Sequence, residues 1–592
     1  MRLRRSALSV LLMTGLSLGV LSPARAAEDA PSARSSAGAD PSADPSAAGN
    51  TDTSDDTGDA VGDDVSGTVA HAVGQTEDEA EQAAEGGLTA PATRVEAQES
   101  LAEVKDLAAP PSLDEPHPAI ASDASKNTTL ALRDLSLRMS ALPRTDRPSA
   151  YEQFQRPTYT TPVTRRCLDN ICVHWTSSPS AGRDATADSF AYGDLSSPTP
   201  APDSVLATMV NVSRAYYNAG YRYPRTDATL GGSGQTDIYL RDVGAERKYG
   251  YCTVDVTSSG HFVFHESVPG RSSDLPAFCV LDNDYSKSDF PTARTSEQDL
   301  KVTAAHEYFH AVQFAYDYLE DRWFMEATAT WAEDQVFDSI NDNVQYLARS
   351  QLRYPGASLD NYNAAGGFLH YGDWLFFEYL TERLPARQGL LPVLVRRMWQ
   401  YADSVSGPDY YSIQAVAAAL AEQHVDFRKM FGRYVAANRH PATAYAEGRV
   451  NHYPTGRPRR TARLRPSNRG TAGRYRVNHL ASATVRFVPK HLRKHTRLTL
   501  AVDMANRRSG SAAVALVFFR NGRLTTKTVP LRRSGKGKVR VPFDSRHVSR
   551  VELVLANANR RYKHCSNDVS GFSCGGVSRR DHVTERFTAR AS

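Results

Sequence analysis

His306-Glu307-Tyr308-Phe309-His310 is the stretch of this 592-residue chain whose residue types and spacing bear most directly on chemistry. On a helix, side chains at i and i+4 share a face about one turn apart, so the two imidazoles can reach a single tetrahedral Zn²⁺. Glu307 points to the neighbouring face, within reach of water on that ion. Zinc lowers the pKa of such a water from about 15.7 to roughly 7, and a nearby carboxylate can take the proton as the oxygen attacks a carbonyl. A lone histidine is more often a satisfied core residue. With 17 histidines in 592 residues, however, an H-E-x-x-H arises by chance in only about a few per cent of such chains.

A third ligand must come from elsewhere. Positions 313 and 316 are Gln and Tyr, so the H-E-x-x-H-x-x-G-x-x-H pattern is absent. A short way downstream the chain reads Arg322-Trp323-Phe324-Met325-Glu326-Ala327-Thr328-Ala329-Thr330-Trp331-Ala332-Glu333-Asp334. An unpaired carboxylate in an apolar, aromatic stretch is costly, and coordination would explain Glu326. Two antiparallel helices joined over 317–322 would bring it back to His306 and His310, giving a His₂Glu set with one open position.

The elements that must position these groups are legible as a change of periodicity. Ile171–Trp175, Asp237–Leu240, Phe262–Phe264 and Phe278–Leu281 predict strands, and Val205–Tyr217 a helix. Ser296 with Asp299 resembles a capping box ahead of helical spacing over Leu300–Leu319. Further helices are predicted over Phe324–Phe337, Gly367–Leu384, Leu390–Tyr401 and Ile413–Tyr434. After His440 short strands take over: Val485–Val488, Leu498–Val502, Ala513–Phe519, Val539–Val541 and Val551–Leu555, spaced as in a β-sandwich.

W-F-M-E-A-T-A-T-W-A-E-D, coming after H-E-Y-F-H-A-V-Q, resembles the W-x-x-E-A segment of gluzincin zinc metallopeptidases, most of all secreted bacterial members with H-E-[FY]-F-H. The similarity runs from about Cys172 to Leu384. It implies a zincin-like domain cleaving protein or peptide substrates, Zn²⁺ on His306, His310 and Glu326, and Glu307 as general base. Only 15 residues separate His310 from Glu326, fewer than in thermolysin-like or aminopeptidase relatives. Thr330 stands where thermolysin-like enzymes place an Asp that orients a ligand, which leaves Glu333 or Asp334 for that role. Such enzymes also aim a Tyr or His at the oxyanion of the tetrahedral intermediate; His370 and Tyr371 are the candidates here, Tyr371 preferred. An edge strand beside the metal binds the substrate backbone in this fold, and Phe278–Leu281 is the expected one.

Asp282, Asn283, Asp284 and Asp289 could hold Ca²⁺, but they lack the Gly and terminal Glu of an EF-hand loop and an ordinary polar turn fits them better. No G-x-S-x-G elbow, Walker loop or dinucleotide fingerprint is present, so serine hydrolase, nucleotidase and dehydrogenase readings have no support.

Arg2, Arg4 and Arg5 precede an apolar run, Ala7–Leu21, that ends at Ala24-Arg25-Ala26. This pattern predicts a secretory signal peptide over 1–26, with an extracellular product and no later membrane span. Six cysteines in an exported chain predict disulfides, and sequential pairing gives Cys167–Cys172, Cys252–Cys279 and Cys565–Cys574. Residues 27–125 carry 22 acidic and 3 basic side chains with almost no aromatics, and are expected to be a disordered acidic leader. Residues 126–160 are expected to form a pro-region, with an amphipathic stretch at Leu130–Leu142. A zincin-like catalytic domain is expected over 161–445, and a basic β-sandwich domain over 446–592.

The expected class is α+β, a zincin-like metallopeptidase domain followed by an all-β sandwich. The last 147 residues carry 33 basic and 7 acidic side chains, more than solubility requires, which points to an anionic cell-wall polymer as partner without specific nucleic-acid binding. The function expected is a secreted zinc endopeptidase. The alternatives are an adhesive wall- or polyanion-binding protein whose zincin domain is structural, and a wall-peptide amidase.

Overall fold

The described chain opens with helices, passes through a small sheet into a mainly helical middle and ends in strands, an α+β arrangement. The computed structural model describes residues 92–108, 127–264, 274–362, 369–563 and 576–592, all within one compact unit. The expected signal peptide, most of the acidic leader, Cys565 with Cys574, and Gly367 with Phe368 lie outside these residues.

The first sheet has the order β1-β2-β3-β5-β4, with β1 Thr164–Leu168, β2 Ile171–Trp175, β3 Thr236–Arg241, β4 Gly250–Thr253 and β5 Phe278–Asp282. β2, β3 and β5 run parallel, and β2 and β5 are buried at every position, as near-continuous apolar runs in a covered parallel sheet should be. Antiparallel β1 and β4 close the two edges, each tied to its neighbour by a disulfide, Cys167–Cys172 and Cys252–Cys279. Phe278–Leu281 is therefore not the edge strand: β4, which held no strong sequence signal, caps it. Phe262–Phe264 forms only a single bridge, between Val256 and Phe262.

Helix α1 (Arg94–Ala108) lies inside the stretch expected to be unstructured, and α2 (Thr128–Arg138) within the expected pro-region. α3 (Val205–Asn218) is followed by α4 (Ser296–Phe314) and α5 (Arg322–Phe337). The capping box starting α4 is Thr295 with Gln298, one residue before the expected pair; Asp299 instead takes ion pairs from Lys287 at 2.7 Å and Arg294 at 2.6 Å. α4 is buried from Val302 to Phe314 and packs against α5. α6 (Trp374–Arg383), α7 (Val393–Tyr401), α8 (Ile413–Glu422) and α9 (Phe427–Ala437) complete the layer. The last two were expected as one helix. His424 at φ 56° breaks them, and Asp426 caps the second by accepting from the Lys429 amide at 2.7 Å.

A two-stranded hairpin, β6 Arg387–Gln388 with β7 Leu391–Pro392, sits between α6 and α7. The C-terminal strands are β8 Arg460–Leu464, β9 Gly470–Val477, β10 Ala481–Pro489, β11 Arg497–Asp503, β12 Ser511–Phe519, β13 Leu524–Thr528, β14 Lys536–Pro542, β15 Val548–Asn557 and β18 Val583–Ala591, with short β16 Tyr562–Lys563 and β17 Val577–Ser578. They form a five-stranded sheet, β13-β12-β15-β10-β8, and a four-stranded sheet, β14-β11-β18-β9. Leu498, Leu500, Val541 and Phe587 of one sheet share a core with Val485, Val517, Leu553 and Leu555 of the other. The five-stranded sheet is also covered on its far side, where Ala512, Val514, Leu516, Val554 and Ala556 join the helical core. Among the described residues no helix is long and apolar enough to cross a membrane.

Candidate metal centre

The crossing of α4 with α5 brings together the residues the sequence singled out. His306 Nε2 lies 3.1 Å from His310 Nε2 and 3.2 Å from Glu326 Oε2, and His310 Nε2 is 3.8 Å from the same oxygen. All three side chains are buried. Four ligands about 2.05 Å from a tetrahedral zinc stand roughly 3.3 Å apart, close to these separations. Among the described residues this is also the one cluster of His, Cys, Asp or Glu able to hold a metal ion.

The hydrogen bonds behind the imidazoles fix their tautomers. Glu333 Oε1 lies 2.6 Å from His306 Nδ1, so that nitrogen carries the proton. Gln313 Nε2 donates to the Met325 carbonyl at 2.9 Å and to Thr328 Oγ1 at 3.1 Å, which turns its Oε1 towards His310 Nδ1 at 2.7 Å. Both Nε2 atoms are then left with lone pairs facing each other and a carboxylate. Only a cation or a shared proton reconciles that arrangement, and burial together with His306 holds the His310 imidazole well below its ordinary pKa. The donor set thus fits a metal. Of the two carboxylates considered for orienting a ligand, Glu333 does so; Asp334 lies against Gln335. Gln313, the other orienting residue, was missed, although i+3 from His310 on one face was a readable signal.

Tyr371 is fully buried, its ring 6.2 Å from that of His306. Burial, then Glu326 among its neighbours, raises its pKa well above the ordinary value, so it stays a proton donor. His370 stacks on Tyr362 with ring centres 4.3 Å apart, and burial, then Arg322, pushes its pKa down to about 3. Of the two candidate oxyanion donors, whose ring centres are 4.5 Å apart, Tyr371 has its ring 6.2 Å from that of His306.

Helix α2 occupies the approach. Thr129 Oγ1 donates to Glu307 Oε2 at 2.8 Å while accepting from the amide of Cys252 on edge strand β4 at 2.9 Å. Asn127 Oδ1 accepts from the Tyr371 hydroxyl at 2.9 Å. Deeper along α2, Asp134 pairs with Arg322 at 2.8 Å and Arg133 at 3.0 Å, and Arg133 Nε reaches the Tyr318 carbonyl at 2.7 Å. Every residue from Thr128 to Ser136 is buried.

The Asp282 to Asp289 cluster is engaged in its own turn. Asp282 accepts from the amides of Gly244 and Tyr285, Asn283 donates to the Arg183 carbonyl, Asp284 accepts from the Ser286 amide and Asp289 from the Ser286 hydroxyl. Burial pushes Asp282 up to about 7.

No known protein-family profile matches the chain, and no curated protein matches it. Among solved structures it aligns with CorA, a surface-associated copper-binding protein of Methylomicrobium album BG8, at 13% identity over 22% of this chain and 96% of that one, with a TM-score of 0.13. A second alignment is to PliG, a periplasmic inhibitor of g-type lysozyme from Aeromonas hydrophila, at 10% identity over 22% of this chain and 98% of that one, with a TM-score of 0.11. A β-glucosidase from Paenibacillus barengoltzii aligns at 12% identity over 29% of this chain and 17% of its own, again with a TM-score of 0.11.

Proposed function

We propose that the chain is a secreted zinc-dependent endopeptidase with a zincin-like catalytic domain. The observation that carries this reading is the pair of Nε2 lone pairs, fixed by Glu333 and Gln313, that converge with Glu326 on one point. His306, His310 and Glu326 would hold Zn²⁺, which supplies Lewis acidity towards a carbonyl oxygen and lowers the pKa of water to near neutrality. Glu307, on the adjoining face of α4, accepts the proton of the attacking water and returns it to the leaving amine. The Tyr371 hydroxyl, neutral throughout, donates to the oxyanion as it forms. The outer edge of β4 offers main-chain groups to an extended peptide.

In this structure those same groups are engaged by α2. Thr129 bonds the base and the edge-strand amide, and Asn127 takes the tyrosine hydroxyl. The reading therefore includes latency: a substrate reaches Glu307 only after α2 leaves, and removal of the segment ahead of β1 activates the chain.

The test is cleavage of casein before and after limited proteolysis between Arg138 and Thr164, with zinc content measured alongside. The expected result is chelator-sensitive turnover that appears on processing and is lost in Glu307→Gln with zinc retained. A processed chain that holds zinc and cleaves nothing would overturn the peptidase and favour a structural metal.

A further inference from the structure

The four-stranded sheet has one face packed into the sandwich core and the other turned to solvent, and the outward face carries an ordered array of charge. Alternation along the strands sends Lys536, Lys538 and Arg540 outward from β14, Arg586 and Arg590 from β18, and Arg474 and Arg476 from β9. The strand register aligns them in rows. One row runs Lys536, Asp503, Arg586, Arg474; the next runs Lys538, Ala501, Thr588, Ala472; the third begins Arg540, Thr499, Arg590.

Past Lys538 the middle row is built of small side chains, and it forms the floor of a shallow depression of about 540 Å³ lined by Ala472, Ala501, Thr588, Arg474, Arg586 and the carboxylate of Asp503. Asp503 is the sole carboxylate facing outward in these rows. Outward positions along one strand repeat roughly every 7 Å and neighbouring strands stand about 4.8 Å apart, so cations flank a trough one extended chain wide.

We infer that this face binds a linear polyol phosphate, a polymer whose phosphodiesters meet the flanking Arg and Lys while its short hydroxylated spacers lie over Ala472, Ala501 and Thr588. Arginine forks recognise phosphate oxygens in pairs, and a high density of phosphates supplies the counterion release that drives such binding. Nucleic acid fits less well. Single strands are held by aromatic platforms on which bases stack, and no outward position in these rows is aromatic: the Tyr475 ring lies inward, stacked on Phe587. The opposite sheet offers no competing face, because it is covered by the helices on one side and by this sheet on the other. The inference is independent of the metal site.

The experiment uses the full chain and a fluorescent poly(glycerol phosphate). One variant carries Arg474→Glu, Lys538→Glu and Arg586→Glu; a charge-matched comparator carries Lys490→Glu, Arg493→Glu and Lys494→Glu, exposed positions beyond the end of β10. A third variant with Gln at 474, 538 and 586 separates lost attraction from added repulsion, and unchanged Tm confirms folding of all three. At 0.15 M salt the face variants should lose at least tenfold in affinity and the comparator less than threefold. The slope of log K against log salt should become shallower by about 2 in the Gln variant, as expected for three lost phosphate contacts. Equal loss in the comparator would reduce the effect to net charge and overturn the inference. So would failure of the full chain to bind at 50 mM salt. Equal or tighter binding of an oligothymidylate of the same charge would overturn the polymer class.

Discussion

Glu326 and Glu307 sit on different helices and should fail differently when changed. Glu326→Ala removes one of three donors and should lower zinc occupancy, read by metal analysis after dialysis, whereas Glu307→Gln should keep zinc and lose turnover. Full zinc content in Glu326→Ala would remove that residue from the ligand set. In the processed chain Tyr371→Phe should retain zinc and lower kcat by roughly 10² to 10³ with little change in KM, the signature of a donor used only in the transition state. His370→Ala, whose ring faces Tyr362 instead, should affect folding before it affects kcat. At this scale much of the cluster was readable, because ligand spacing on a helix is a local property. Gln313 was within reach of the same argument. Thr129 and Asn127 were not, since a bond across 178 residues leaves no trace in local spacing.

α2 buries Leu130, Leu132 and Leu135 in the main core and is anchored by charge as well. Burial alone would raise the pKa of Asp134, but Arg322, Arg133 and Arg138 outweigh it and keep the carboxyl below its ordinary value. A depressed carboxylate contributes stability above its unfolded pKa and loses it as pH falls through the folded one, so the anchorage persists through neutrality and fails only in acid. Asp134→Asn should leave three guanidinium groups without their shared counter-charge and loosen the helix by several kcal/mol. The expected readouts are faster amide exchange over 127–138 and casein turnover by the unprocessed chain. Unchanged exchange would assign the anchorage to Arg133 and its carbonyl bond instead. The amphipathic pattern at 130–142 gave the helix, but its destination depended on β4, a four-residue strand too short to stand out in sequence.

At the scale of the molecule, the joint between the helical layer and the sandwich holds an ion cluster. His479 of the C-terminal strands lies 2.9 Å from Asp360 and 3.4 Å from Asp581, and Tyr562 also bonds Asp360. Burial opposes the charged imidazole, but Asp360 and Asp581 outweigh it and raise His479 to about 9. Its contribution is therefore complete below pH 6.5 and is lost as pH rises through about 9, worth about 3 kcal/mol at most. The melting temperature should fall between pH 6.5 and 9, and His479→Gln should flatten that dependence; a parallel decline in the variant would place the titrating group elsewhere. The sandwich strands were legible individually, but not their pairing with the helices, because Ala512, Val514 and Val554 read equally well as facing either sheet.

That shared core has a mechanical consequence. Arg439, from the end of α9, is buried and paired with Glu552 on β15 at 2.8 Å, so the helices and the sheet are joined by side chains as well as by chain connectivity. A module on a flexible linker sweeps a sphere and lets its catalytic partner act anywhere inside it. A module fused through a common core has no such arc. If the outer sheet rests on a polymer, the mouth beside β4 is carried at one fixed height and bearing above it. Proteolysis would then be confined to a thin shell over the anchored surface, and reach would be set by the thickness of the protein rather than by the length of a tether.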